Sequence, residues 1–235
     1  MRPTVIFDFD GTLALGDGPL WAYARGVAEA AGIPEIVAAS EEAVARFEAG
    51  DEERIDGYDA VRAAAVELGA DDEALSAGYM ASRAELATDS APIAAPEGLE
   101  DFLTRLAEYA DLLLVTNSPD VRITEALEAL GASAITSRVC SARKPAGLGP
   151  VIDEMLTRGP VMSVGDVYVN DLEPAIARGA ATALVGATWE AHASQVTMAA
   201  ATLPELYPSL EAWAAAEATA PQMPTGTGTT QERQQ

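Results

Sequence analysis

Hydrophobic residues along this chain follow two rhythms. Residues 3–10, PTVIFDFD, form a short, nearly continuous apolar run rich in β-branched and aromatic side chains, which reads as a buried strand. From about Pro19 to Leu86 the pattern changes to PLWAYARGVAEAAG, EEAVARFEAG, YDAVRAAAVELG and DDEALSAGYMASRAELA. These runs are rich in Ala and Glu, mostly closed by Gly and uninterrupted by strand pattern, so they predict an all-helical insert of roughly 70 residues. TDSAPIAAPEG (88–98) is Pro-rich and reads as a hinge on the return path.

Helix and strand patterns then alternate. LEDFLTRLAEY, PDVRITEALEALG, LGPVIDEMLTRG and DLEPAIARG read as helices between the strands DLLLVTNS, AITSRVCS, PVMSVGD and ATALVG. Such alternation predicts a Rossmann-like α/β core, a parallel sheet with helices on both faces. The expected division is a core over 1–16 and 90–212 with a helical cap over 17–89. A last helix is expected near LPELYPSLEAWAAAEA (203–218). Residues 213–235, increasingly rich in Gly, Thr, Pro and Gln, are expected to be a disordered tail.

Composition narrows the function classes. With 235 residues, 49% of them hydrophobic, the chain can build one large domain or a core with an insert. Its one cysteine, Cys140, excludes an internal disulfide and a Cys-rich metal cage, and reads as a small buried hydrophobe. Neither a leader-type apolar segment nor a membrane-length apolar run is present, so the cytoplasm is the default location. A formal charge of -23 disfavours nucleic-acid binding through a basic surface. Screening within about 8 Å at physiological salt still lets a local cationic site override that sign. The chain has a single lysine, Lys144, against 13 arginines (14 − 1), which marks Lys144 as a position that uses a compact ammonium.

Open parallel sheets bind ligands at the carboxyl ends of their strands. Here those ends carry Asp8 and Asp10, then Thr116, Asn117 and Ser118, then Gly165 and Asp166 with Asp171 five residues on; Lys144 follows another strand. Asp8 and Asp10, two apart, are expected on one strand face. Unit charges of like sign about 4 Å apart repel by roughly 4 kcal/mol at an effective dielectric near 20, so converging carboxylates call for a cation. Oxygen donors suit Mg2+, which also grips phosphate. Ser118-Pro119 is expected to cap a helix whose N-terminus adds an anion site. Together these groups suggest phosphoryl chemistry.

The same residues resemble the haloacid dehalogenase-like (HAD) hydrolase superfamily over about residues 3–190. DFDGTL, VTNS, RKP and SVGDVYVND correspond in order to its four motifs. The resemblance implies that Asp8 is a nucleophile forming an aspartyl-phosphate and Asp10 the general acid and base. It implies that Thr116 binds the phosphoryl group, with Asn117 a further candidate, and that Lys144 neutralises Asp8. Mg2+ would be held by Asp8, Asp166 and the Asp10 carbonyl, with Asp171 supporting its waters or orienting Lys144. The implied activity is hydrolysis of a small phosphorylated metabolite. Asp10 argues against a dehalogenase, because a departing halide needs no proton. A phosphomutase keeps the same core. A receiver-type phospho-accepting module is about half this length and lacks the insert, and a silent binding protein would tend to have lost one of these groups.

The insert resembles the helical cap of subclass I. Arg54, in EAGDEERIDGYD (48–59), is the candidate contact for a second anionic or polar group of the substrate, with a solvated charged turn as the competing reading. Trp21 and Tyr23 are candidates for lining the pocket, though packing on a helix face is favoured for both. Arg83 stands between the same alternatives. One histidine, His192, with no G-x-S-x-G, offers no serine triad. Gly16 and Gly18 lack the third glycine of a dinucleotide site and read as the turn into the cap. Monomer and dimer are both open.

Overall fold

The computed structural model describes residues 1–50 and 54–220. Six parallel strands form one sheet in the order β3-β2-β1-β4-β5-β6. They are β1 (Thr4–Phe7), β2 (Asp111–Val115), β3 (Ser137–Val139), β4 (Val161–Gly165), β5 (Ala181–Leu184) and β6 (Met198–Ala199). β1 lies centrally, with Ile6 opposite Leu113 on one side and Ser163 on the other. Side chains alternate across it. Val5 and Phe7 join Phe102 and Leu103 of α5 (Leu99–Leu106) and Leu210 of α10 (Leu203–Thr219). Ile6 packs oppositely, with Leu148 and Ile152 of α7 (Leu148–Leu156) and Ala175 of α8 (Glu173–Ile176). Both faces are therefore covered, and β1 reads as continuous apolar sequence for that reason.

Among its described residues the insert is built on helices, α1 (Gly18–Ala31), α2 (Glu35–Glu48), α3 (Gly57–Glu67) and α4 (Asp72–Ala84), with isolated β-bridges at Leu86 and Thr88 on the way out. It has its own apolar core, including Leu20, Val27, Ile36, Val44, Val61 and Leu75. Gly26 of α1 and Gly78 of α4 let these helices touch, since a Cβ on Gly26 would lie 2.8 Å from the Gly78 oxygen. At the base, Leu15 and Ala94 exchange backbone hydrogen bonds, both 2.8 Å, and tie the two linkers together.

Three expectations change. α10 spans the stretch expected for the last helix and ends at Thr219, so 213–219 belong to it and not to the expected tail, with Ala214 buried because its apolar face still meets the core after position 212; residues 221–235 of that tail lie outside the described residues. α2 starts at Glu35, directly after Pro34, earlier than the apolar pattern indicates. β6 adds a sixth strand of two residues, too short to show alternation. Among the described residues no helix is long and apolar enough to cross a membrane.

Candidate active site

The carboxyl ends of the strands and the underside of the cap enclose a cavity of about 310 Å3. Its core side includes Asp8, Asp10, Thr116, Asn117, Lys144 and Asp171. β1 stops at Phe7, and a tight turn follows in which the amides of Leu13 and Ala14 both donate to the Phe9 oxygen. The expected strand-face pairing of Asp8 and Asp10 therefore gives way to a loop, which still delivers both to one cavity. Gly11 makes the turn possible. Its φ is +84°, and a Cβ there would sit 2.2 Å from Asp166 Oδ2.

Lys144 is buried between two acids. Its Nζ donates to Asp8 Oδ1 and, at 2.5 Å, to Asp171 Oδ1. The second oxygen of Asp171 accepts from the Val167 amide at 3.0 Å, and the Ser163 hydroxyl donates to its carbonyl at 2.7 Å. Asn117 joins neighbouring strand ends by accepting the Lys144 amide on Oδ1 at 2.6 Å. Asp8, Asp166 and Asp171 each offer an oxygen within 4.8 Å of the others. Burial, only partly offset by Lys144, raises the Asp8 pKa to about 7; burial and the Asp8 charge push Asp166 up as well. A crowded, buried, all-oxygen donor set of this kind fits a hard divalent cation such as Mg2+. Asp166 also lines an adjoining cavity of about 240 Å3, which shares Asp10, Asp56, Tyr58 and Val167 with the first.

The cap reaches Asp10 through Arg83, whose side chain is 0% exposed. Arg83 Nη1 donates to Asp10 Oδ1 at 2.9 Å and to Ser118 Oγ at 3.0 Å. Ser118 Oγ donates in turn to Asp10 Oδ2 at 2.8 Å. Nη2 meets the Tyr58 hydroxyl, and the guanidinium lies 5.4 and 5.1 Å from the Tyr58 and Tyr79 ring centres. Burial alone would lower the pKa of this guanidinium, but the Asp10 charge and the neighbouring hydroxyls of Tyr58 and Tyr79 outweigh it and the pKa rises.

A family model for haloacid dehalogenase-like hydrolases matches residues 3–179. The chain belongs to this family. Solved HAD structures share its fold. A magnesium-bound HAD hydrolase of Bacillus subtilis has 18% identity, a TM-score of 0.57, and coverage of 89% of this chain and 98% of its own. A candidate β-phosphoglucomutase of Thermotoga maritima has 20% identity, a TM-score of 0.57, and coverage of 90% and 99%. A 2-haloacid dehalogenase of Pseudomonas syringae has 19% identity, a TM-score of 0.53, and coverage of 91% and 99%. No curated protein sequence matches the chain.

Within this HAD fold, the core residues expected from sequence meet at one cavity, with Asp166 beside it. Arg54 does not line that cavity, and residues 51–53 of its loop lie outside the described residues. Arg62, exposed on α3, lines it instead. The expected helix N-terminus at Ser118-Pro119 is absent. α6 (Ile123–Ala129) begins later, after Arg122 at φ 55°, and the Ser118 hydroxyl is taken up by Asp10. Tyr23 lines the cavity while packing on the cap core, whereas Trp21 only packs. His192, at the end of the short α9 (Trp189–His192), stacks on Tyr168 at 4.0 Å, away from the cavity. Cys140 is half-buried rather than fully buried. Sequence reasoning missed Ser118 as a partner of Asp10, along with Asn170, Asp56, Tyr58, Asp59 and Tyr79 as cavity residues. Ser118 and Asn170 lie inside VTNS and SVGDVYVND, but a motif does not say which partner each side chain meets; Asp56, Tyr58, Asp59 and Tyr79 carry no motif, and only the seating of cap on core brings them to the cavity.

Proposed function

We propose that this HAD hydrolase is a Mg2+-dependent phosphomonoesterase acting on a small phosphorylated metabolite through an aspartyl-phosphate. The observation that carries the reading is that Asp10 faces the same cavity as Asp8, which is already paired with Lys144. An Asp8 carboxylate oxygen attacks phosphorus, the ester P–O bond breaks, and the leaving oxygen takes a proton from Asp10. Water then attacks phosphorus as Asp10 accepts its proton, the P–O bond to Asp8 breaks, and inorganic phosphate leaves. Lys144 neutralises Asp8, and Thr116 hydrogen-bonds the phosphoryl oxygens. Arg83 and Ser118 fix the orientation of the Asp10 carboxylate. Asp8, Asp10, Asp166 and Asp171 form the set that would hold or support Mg2+. When bound, that ion supplies charge neutralisation for the carboxylates and the phosphoryl oxygens.

The test is p-nitrophenyl phosphate turnover with Mg2+ and with EDTA, alongside Asp8→Asn. We expect EDTA to suppress turnover and Asp8→Asn to lower it by more than about 10³-fold. Full activity of the Asn variant would remove Asp8 as nucleophile. Release of halide from a 2-haloacid, or sugar-phosphate interconversion without free phosphate, would replace the phosphatase reading with dehalogenase or mutase chemistry.

A further inference from the structure

The cap side of the cavity sets what can sit beyond the phosphoryl group. Its wall consists of the rings of Tyr23, Tyr58 and Tyr79, the carboxylates of Asp56 and Asp59, and Arg62. The rings touch one another, with centroids 5.8 to 6.3 Å apart, so they form one continuous aromatic surface. Arg83 lies behind that surface, but its charge is matched by Asp10 and its Nη1 and Nη2 groups engage Ser118 and Tyr58, while Nε is buried without a partner. Arg62 is exposed, where water and salt screen it. Asp56 accepts the Asp59 amide on Oδ1 at 2.8 Å, capping α3, and the carboxylates of both Asp56 and Asp59 line the cavity, where their remaining lone pairs can accept. The wall thus offers acceptors and aromatic faces, with two acids against one screened base. Its cavity is at the small end of the range for small-molecule sites.

We propose, resting on the phosphatase reading, that the leaving group accepted here is small, carries hydroxyl or ammonium hydrogen-bond donors, and bears no second anionic group. A hydroxyl or ammonium donates to Asp56 and Asp59, and its carbon skeleton covers the rings. A carboxylate or second phosphate in the same place would face two like charges in a chain of formal charge -23.

Glycerol 3-phosphate and 3-phosphoglycerate test this directly, because they share a three-carbon skeleton and differ by a terminal CH2OH against a carboxylate. With Mg2+ present, kcat/KM should favour glycerol 3-phosphate by about tenfold or more. Asp59→Asn should narrow that ratio several-fold, because it removes one of the two like charges. Phosphoethanolamine is the ammonium arm. A kcat/KM above that of glycerol 3-phosphate assigns the donor as a cation, and one below it assigns a hydroxyl. p-Nitrophenyl phosphate reports the phosphatase reading by itself. If it is hydrolysed while 3-phosphoglycerate is preferred, and Arg62→Ala abolishes that preference, the leaving-group inference is overturned and the phosphatase reading stands. If none of the esters is hydrolysed, the phosphatase reading falls, and this inference with it.

Discussion

Arg83 is a fully buried cation whose main partner, Asp10, remains 29% exposed toward the cavity. Removing one partner of such a pair leaves the other misdirected as well as unpaired. We therefore expect Arg83→Met to lower kcat for p-nitrophenyl phosphate by about 10²-fold, the lower range for loss of a positioned acid–base group, with KM changed only a few-fold. Arg83→Lys should recover part of kcat, because an ammonium can still donate to Asp10. An unchanged kcat in the Met variant, or a loss confined to KM, would remove Arg83 as the group that positions Asp10. In the sequence this residue is one of the chain's 13 arginines, a candidate for the pocket on an ordinary amphipathic helix, and nothing local says that its partner is Asp10. Asp8, Asp10, Lys144 and Asp166 were legible because carboxylates after apolar strands, and a solitary lysine, are costly placements that a site explains. Arg54 was selected by its loop position, and position alone does not say which side chain turns inward.

The pairing of α1 with α4 carries Tyr23 on one helix and Tyr79 and Arg83 on the other. A Cβ on Gly78 would lie 2.4 Å from the Val27 nitrogen, inside any tolerable contact. Helix propensity alone makes Gly→Ala stabilising by up to about 1 kcal/mol. Here close packing reverses the sign, and Gly78→Ala should destabilise by about 1–3 kcal/mol. The urea midpoint should fall with an unchanged slope, and activity should fall as the cap wall shifts. A raised midpoint would show that the helices can part without cost. Helices α1, α3 and α4 were readable because capping and apolar spacing act within a few residues. The start of α6 was not. Ser118-Pro119 has the composition of a helix start, yet Asp10, more than a hundred residues away, competes for the same hydroxyl.

For the whole molecule, the raised Asp8 and Asp166 pKa values link stability to pH and to metal. Asp8 binds its proton up to about pH 7 in the folded chain, against about 4 when unfolded. Between these values the folded state holds more protons, so metal-free stability from this group is present at low pH and lost as pH rises through 7. Melting temperatures in EDTA should therefore carry a downward contribution from pH 5 to pH 8, reduced in Asp8→Asn. Mg2+ competes with those protons and should raise the melting temperature more at pH 8 than at pH 5. Equal shifts at both pH values would argue that the ion does not bind this carboxylate group. By itself, the sequence determined the parallel α/β core, the helical insert and the strand-end residues, because strand and helix periodicity and the cost of burying charge are written in neighbouring residues. Tertiary structure decided which cap side chains face the chemistry, that Arg83 grips Asp10, and that tyrosines and acids form the opposite wall. Those choices depend on how two separately packed cores sit against each other, a relation between distant surfaces that no local pattern records.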